Sequence, residues 1–179
     1  AHDPEALVDH HGCYGIDLAR FFPGWLDEHP VGDWSPAPAD ERAPPVFLVG
    51  FPRSGTTLLD QVLSAHPRIE VIEEKELLLE VRKRWISREH FPRLTAMSTE
   101  EILEARQLYR QARAAAQTDP NATVLVDKLP LNTMYLPLIH RLGHNAGEIV
   151  PVKTGFGRPL GHDGSPEQGW QSFGDRIQY

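Results

Sequence analysis

The chain has 179 residues, 40% of them apolar, which is the composition of one folded domain of ordinary size. Its 25 acidic and 18 basic residues give a formal charge of −7, which disfavours binding to nucleic acid and to anionic membranes. The single cysteine, Cys13, excludes an intrachain disulfide. No apolar run reaches the roughly 18 residues of a membrane span, and the first residues do not have the pattern of a signal peptide. A cytoplasmic location is therefore expected.

Residues 1–44 are predicted to be a lead-in or linker. A short helix is possible from Pro4 to His10, and proline-rich sequence extends from Pro30 to Pro45. Regular structure is expected to begin at Val46, where a short run of β-forming apolar residues ends at Val49. Such a run between proline and glycine is typical of a strand buried on both faces.

A glycine-containing loop, residues 50–55, follows this strand and leads into a helix that is predicted to begin at Thr56. The helix should end at His66-Pro67, because proline cannot continue it. Its apolar residues at helical spacing are Leu58, Leu59, Val62 and Leu63. The order strand, loop, helix is therefore predicted for residues 46–65.

The next two helices are predicted from charge and capping patterns. The strand edge at 69–72 leads into a helix expected from Glu73 to Val81, whose acidic first turn would complement the helix dipole. A further helix is expected over 99–116, because Ser98 followed three residues later by Glu101 forms a capping box.

The last patterned elements are a strand over 122–126, which ends at Asp127-Lys128, and a helix over 134–142 behind Asn132. Alternating strands and helices predict an α/β fold with a parallel sheet in three layers, and residues 45–142 are predicted to form one partial domain. Beyond it, residues 143–179 are expected to be an irregular, disordered tail in which only 148–153 could form a strand. The sheet would then be incomplete on its C-terminal side.

The segment from Gly50 to Thr57 resembles a P-loop in its two glycines, but Thr56 occupies the position of the Walker lysine. A tight loop between a buried strand and a helix still directs backbone N–H groups and the helix dipole at an anion. Arg53 adds a guanidinium suited to phosphate or sulfonate oxygens. The predicted anion-binding residues are Pro52, Arg53, Ser54, Gly55, Thr56 and Thr57.

Two other interpretations of this loop stay open. It could be an ordinary strand–turn–helix joint whose hydroxyls cap the helix. It could also belong to a nucleoside or small-molecule kinase with a degenerate P-loop, although Asp127 is followed at once by a lysine and so is a poor match to a magnesium-binding Walker B acid.

Three motifs in order carry a resemblance to a known family. Residues 46–59, Ser64-Ala65-His66-Pro67 and residues 126–132 resemble sulfotransferases, and are most similar to bacterial sulfotransferases with tetratricopeptide repeats and to tyrosylprotein sulfotransferases. The resemblance implies a P-loop α/β fold and 3′-phosphoadenosine 5′-phosphosulfate (PAPS) as donor substrate, bound without a metal. The implied partner is a sulfate acceptor, which could be a small molecule, a glycan or a protein tyrosine.

The resemblance also implies roles for three residues. Glu74 matches the glutamate that acts as general base, Lys128 a lysine near the bridging oxygen of the donor, and Arg53 a cation on the sulfonyl oxygens. From the residues alone, Glu74 could instead be a favourable charge at a helix N-terminus, and Lys128 a solvated lysine at a strand end. The pair His10-His11 lacks partner ligands at metal-binding spacing.

The chain departs from the family pattern after Leu142. Members of the family continue with an Arg-Asp-Pro-Arg-like segment that holds the 3′-phosphate of the donor, and residues 143–179 contain no such motif. A truncated domain is therefore expected, and a frameshifted or alternative ending would explain the loss of hydrophobic periodicity. A non-catalytic sulfotransferase-like fragment stays open beside an active transferase.

Overall fold

The computed structural model describes residues 24–40, 42, 44–50, 54–86, 91–143 and 149–151. The chain forms two compact units, and residues Ser35–Val152 make up the unit that contains the sheet. The predicted helix at 4–10, the histidine pair at 10–11 and the predicted irregular stretch after 154 lie outside the described residues. The domain boundaries at 44 and 142 stay predictions.

The described part of the other unit, residues 24–34, consists of two short helical turns. Residues 24–28 are helical, and Val31–Asp33 forms a 3-10 turn. Trp25 stacks on His29 with ring centroids 4.8 Å apart, and the Trp34 indole N–H donates to the His29 carbonyl at 3.0 Å. These contacts tie the two turns together. No helix within the described ranges is both long and apolar enough to cross a membrane.

Four parallel strands form the sheet: β1 (Val46–Val49), β2 (Ile69–Glu73), β3 (Val124–Lys128) and β4 (Ile149–Pro151). Their order is β2-β3-β1-β4. The α-helices of this unit are α1 (Thr56–Ser64), α2 (Leu79–Trp85), α3 (Thr99–Ala116) and α4 (Leu136–Leu142). The predicted α/β fold with a parallel sheet is confirmed, and β4 lies at the place where the sequence allowed one late strand.

The two faces of the sheet are covered by different helices. The Phe47 ring stacks on Tyr109 of α3 at 5.3 Å between centroids, and the Tyr109 hydroxyl donates to Asp127. Lys128, the next residue of β3, lies near Asp60 of α1 instead. Because successive side chains of a strand point to opposite faces, α1 and α3 lie on opposite sides of the sheet. The predicted three layers are therefore present.

Helix α3 begins where the capping pattern predicts. The Glu101 amide donates to the Ser98 hydroxyl at 3.2 Å, and the Ser98 amide donates to the Glu101 carboxylate at 2.9 Å. Both bonds of the capping box are formed, so two amides at the helix start are satisfied locally.

The helix predicted from Glu73 to Val81 is wrong in its N-terminal half. Glu73 ends β2, Glu74 has a positive φ of 50°, and α2 begins only at Leu79. The reason is tertiary: Glu73 pairs in register with Lys128 of β3, and this pairing extends the strand through the acidic residues. The two glutamates therefore lie at a strand end and are not the first turn of a helix.

Two other boundaries differ from the predicted ones. Strand β3 begins at Val124, which pairs with Ile69, the first residue of β2. The helix expected over 134–142 is a 3-10 turn at Pro130–Tyr135 followed by α4.

The buried face of α1 is polar where the spacing of leucines and valine predicted an apolar one. Thr56 and Asp60 are buried, whereas Leu58 and Val62 are 72% and 62% exposed. A buried ammonium group below the helix explains the inward position of the Asp60 carboxylate. The apolar periodicity of this helix is real, but its most exposed members face away from the sheet.

Candidate functional site

The loop after β1 is fixed at its start by the segment that follows β3. The Gly50 amide donates to the Pro130 carbonyl at 3.3 Å, and the Thr133 hydroxyl lies 3.4 Å from the Gly50 carbonyl. A Cβ at Gly50 would lie only 2.8 Å from the Ser54 hydroxyl oxygen. A larger residue here would have to displace the Ser54 side chain, so the close approach of the two ends of the loop favours glycine.

The end of the loop presents hydrogen-bond donors. Gly55 has a φ of 88°, in the left-handed region that glycine adopts without strain, and its carbonyl accepts the first bond of α1 from Leu59. The amides of Thr56 and Thr57 therefore have no acceptor inside the helix. The buried Ser54 hydroxyl also has no hydrogen-bond partner among the residues that the structure describes. Such a set of donors at a helix N-terminus suits a phosphate or sulfonate group.

Of the predicted anion-binding residues, the structure describes the last four, Ser54, Gly55, Thr56 and Thr57. Phe51, Pro52 and Arg53 lie outside the described residues. The roles of Pro52 and Arg53 therefore stay predictions. That of Ser54 also stays a prediction, although its unpartnered hydroxyl fits an oxygen-rich ligand.

Lys128 is the fully buried cation of this region. Its side chain is 0% exposed, and its ammonium nitrogen lies 2.8 Å from Glu73 Oε1 and 3.3 Å from Glu74 Oε1. The buried Asp60 carboxylate approaches the same nitrogen at 3.9 Å. The alternative of a solvated strand-end lysine is therefore wrong. The structure places an ammonium group inside the protein at the carboxyl ends of the strands.

Lys128 and Glu73 each hold the other in its charged form. Burial on its own lowers the pKa of Lys128, but hydrogen bonds and charges from Glu73 and Glu74 outweigh it, so the pKa lies above its ordinary value. The hydrogen bond and charge of Lys128 hold the pKa of Glu73 below its ordinary value. The ammonium thus stays charged at neutral pH.

Glu74 lies in the turn between β2 and α2 in an unusual backbone conformation. Its φ of 50° is uncommon for a residue other than glycine, and its amide donates to the Lys128 carbonyl at 2.8 Å. Its side chain is 65% exposed while it contacts the Lys128 ammonium. Strained backbone of this kind is concentrated at functional sites. The turn presents a solvent-accessible carboxylate directly beside a buried cation.

Asp127 lies on the other face of the sheet, away from Lys128. Its carboxylate accepts from the Tyr109 hydroxyl at 3.1 Å and from the Asn132 amide at 3.3 Å. Burial raises its pKa to about 7, although the Tyr109 hydrogen bond and the charge of Arg113 act in the opposite direction. With both oxygens engaged on the α3 face, Asp127 is not placed to hold a magnesium ion at the loop.

This raised pKa predicts a pH-dependent stability. The folded state holds the Asp127 proton up to about pH 7, whereas an unfolded aspartate loses it near pH 4, so the stabilising contribution is lost as pH rises through that window. Asp127→Asn removes the titration. We therefore expect urea unfolding at pH 5 to 8 to show the variant gaining stability relative to the wild type as pH increases. A stability difference that does not change with pH would contradict this.

Sequence reasoning missed several residues that build the site. Glu73 was interpreted only as a helix charge, whereas it pairs with Lys128. Asp60 was missed altogether, and its one signal is a carboxylate one turn after Thr56, next to the leucines that predicted the buried face. Tyr109 and Thr133 gave no signal, because their contacts join distant segments. Among the described residues, no cluster of His, Cys, Asp or Glu has an arrangement that would hold a metal ion.

Comparison with known proteins places this site in context. The sequence profile of the sulfotransferase family matches residues 44–150. Protein-tyrosine sulfotransferase 1 of Rattus norvegicus is 31% identical over 120 residues, which cover 64% of this chain and 32% of that protein. The Homo sapiens protein of the same name is 33% identical over 118 residues, covering 63% and 32%.

An uncharacterized protein of Aquifex aeolicus is 31% identical over 117 residues, covering 61% of this chain and 15% of that protein. The chain spans about a third of the length of the tyrosine sulfotransferases that it matches. The family match extends from the residue before Pro45 to the second residue of β4.

Proposed function

This chain belongs to the sulfotransferase family, and we propose that it transfers a sulfuryl group from PAPS to a hydroxyl or amine acceptor. The observation that carries the proposal is the buried Lys128 ammonium in contact with the exposed Glu74 carboxylate. A fixed cation and an accessible base side by side are what this transfer requires.

The loop is proposed to bind the donor. The phosphosulfate group of the donor supplies the sulfuryl that is transferred, and Arg53 would pair with the oxygens of that group. The unpartnered Ser54 hydroxyl and the amides at the start of α1 would donate to the same oxygens. Pro52, Gly55 and the hydroxyls of Thr56 and Thr57 complete this proposed set.

Glu74 and Lys128 are proposed to act during the transfer. Glu74 takes the proton that the acceptor hydroxyl loses as its oxygen bonds to sulfur. Lys128 offsets the negative charge that builds up on the leaving phosphate as the bridging bond breaks. The exposed Glu74 side chain allows an acceptor to approach, and the burial of Lys128 strengthens its field because little water screens it.

Two features favour sulfuryl transfer over a nucleotide kinase. Thr56 occupies the position of the Walker lysine, and the Asp127 carboxylate faces α3 with its oxygens bonded to Tyr109 and Asn132. A kinase would need a cation on the γ-phosphate and an acid free to hold magnesium. The names of the relatives make a protein tyrosine one proposed acceptor, beside small molecules and glycans.

Calorimetric titration with 3′-phosphoadenosine 5′-phosphate, the desulfated donor, tests the proposal. We expect Arg53→Ala to weaken its binding by roughly 1.5 to 3 kcal/mol, because a hydrogen bond to a charged group is lost. Arg68→Ala removes an exposed arginine beyond the end of α1 and is the matched control, for which we expect unchanged affinity.

The outcomes separate the candidate functions. Unchanged affinity in Arg53→Ala would remove Arg53 from the donor site. Tighter binding of ATP with magnesium than of the desulfated donor would favour the kinase, and a folded chain that binds neither nucleotide would favour the non-catalytic fragment.

A further inference from the structure

Asp60 is a buried carboxylate that lies beside the Lys128 ammonium. Its side chain is 5% exposed in the middle of α1, on the face that covers the sheet. The Ser64 hydroxyl donates to Oδ1 at 3.1 Å, but Oδ2 accepts no hydrogen bond from any described residue. Burying a carboxylate in this way is costly unless a nearby cation compensates for it. Within the described part of the chain, the cation placed to do so is Lys128, 3.9 Å away.

We propose that Asp60 is a positioning residue, which keeps the Lys128 ammonium in place when Glu73 and Glu74 no longer hold it. This inference rests on the proposed function, in which Lys128 offsets charge on the leaving group. Neither the family resemblance nor the relatives named above assign a role to Asp60.

The three carboxylates around Lys128 differ in how firmly they are held. Glu73 and Glu74 have side chains 54% and 65% exposed, so water and an arriving substrate compete for them. Glu74 would also lose its charge each time it accepts a proton. Asp60 is enclosed and is tied to its own helix by Ser64. Of the three carboxylates, Asp60 is therefore the one that stays shielded from solvent through a reaction cycle.

The helix that carries Asp60 also carries the end of the anion-binding loop. Thr56 opens α1 and Asp60 follows one turn later, so the two groups keep a fixed separation. An ammonium held by Asp60 is thereby held relative to the loop. The glutamates offer no such link, because they belong to β2 and the turn after it.

The test uses the titration of Lys128 itself, followed by NMR of ¹³C-labelled lysine. The lysines of the chain are Lys75, Lys83, Lys128 and Lys153, and Lys128→Gln assigns the signal. In Glu73→Gln/Glu74→Gln, which imitates neutral glutamates, we expect Lys128 to remain a cation at neutral pH. Adding Asp60→Asn should lower its titration midpoint by roughly one pH unit or more, since an opposite charge within about 4–6 Å has that effect.

Glu70→Gln is the charge-matched control. Its carboxylate lies on β2 but accepts from Thr118 and from the Asp119 amide, so its removal should leave the Lys128 titration unchanged. A Lys128 titration that Asp60→Asn leaves unchanged in the glutamate double variant would overturn the proposal. If Asp60→Asn does not fold, the glutamate double variant alone tests the proposal. Loss of the Lys128 charge at neutral pH in that variant would also overturn the proposal.

A second readout links the contact to function. In the glutamate double variant, binding of 3′-phosphoadenosine 5′-phosphate is measured from pH 6 to 10. Adding Asp60→Asn should move the upper limb of this profile, where affinity falls as Lys128 loses its proton, to lower pH by the same shift that NMR gives for Lys128. If NMR shows the coupling but the wild-type chain binds no desulfated donor, the proposed function fails and the Asp60–Lys128 contact is structural only. Donor binding with an unmoved upper limb would overturn the positioning role alone.

Discussion

Lys128→Met is expected to lower sulfuryl transfer by about 10² to 10³-fold, because it removes the cation that offsets charge on the leaving phosphate. The same change should lower the free energy of unfolding by roughly 3 kcal/mol, since it leaves the buried Asp60 carboxylate without its ion-pair partner. The loss of transfer is measured as the release of 3′-phosphoadenosine 5′-phosphate from PAPS, with a panel of phenolic, peptide and glycan acceptors. Urea unfolding measures the loss of stability.

The matched control for this change is Lys83→Met. Lys83 is 61% exposed and pairs with Glu80 on the surface of α2, so its replacement should leave turnover unchanged and alter stability by less than about 1 kcal/mol. Wild-type turnover in Lys128→Met would remove Lys128 from the proposed chemistry. Unchanged stability would show that the buried carboxylate does not depend on the ammonium.

Glu74→Gln is expected to lower turnover on the order of 10²-fold or more while donor binding changes little, because an amide cannot accept the acceptor's proton. The substitution keeps the size of the side chain and a residue other than glycine at the strained position. Steady-state rates with PAPS, together with calorimetric affinity for the desulfated donor, separate the loss of a base from the loss of a binding contact.

Glu73→Gln provides the comparison that isolates proton transfer. Both glutamates contact the Lys128 ammonium, at 2.8 Å for Glu73 and 3.3 Å for Glu74, but only Glu74 is proposed as base. A similar loss in both variants would mean that the damage comes from a disturbed Lys128. Full activity of Glu74→Gln would exclude it as the general base.

The parts of the fold that the sequence predicts well depend on neighbouring residues. Strand β1 has its predicted bounds, and α3 begins at a capping box that residues three apart complete. The start of α2 could not be predicted in this way. Glu73 and Glu74 are typical of a helix N-terminus, but pairing of Glu73 with Lys128 continues the strand, and that partner lies on a distant segment.

In the candidate site, too, local patterns could be predicted from the sequence and contacts between distant segments could not. Motif resemblance predicted that the residues of the loop, Glu74 and Lys128 form the site, and the structure brings Glu74 against Lys128. It could not identify Asp60, because the sequence does not show which strand residue lies opposite a carboxylate on a helix. The surroundings of Asp127 could not be predicted for a similar reason, since Tyr109, which donates to it, lies on α3.

Strand β3 places two neighbouring charged residues in different environments, Asp127 toward α3 and Lys128 toward α1. An insertion of one residue before Asp127 would move its carboxylate to the position of Lys128, where it would meet three other carboxylates. A deletion there would move the ammonium to the position of Asp127, beside the Phe47 and Tyr109 rings. Homologous chains should therefore tolerate substitution in β3 far better than any change in its length.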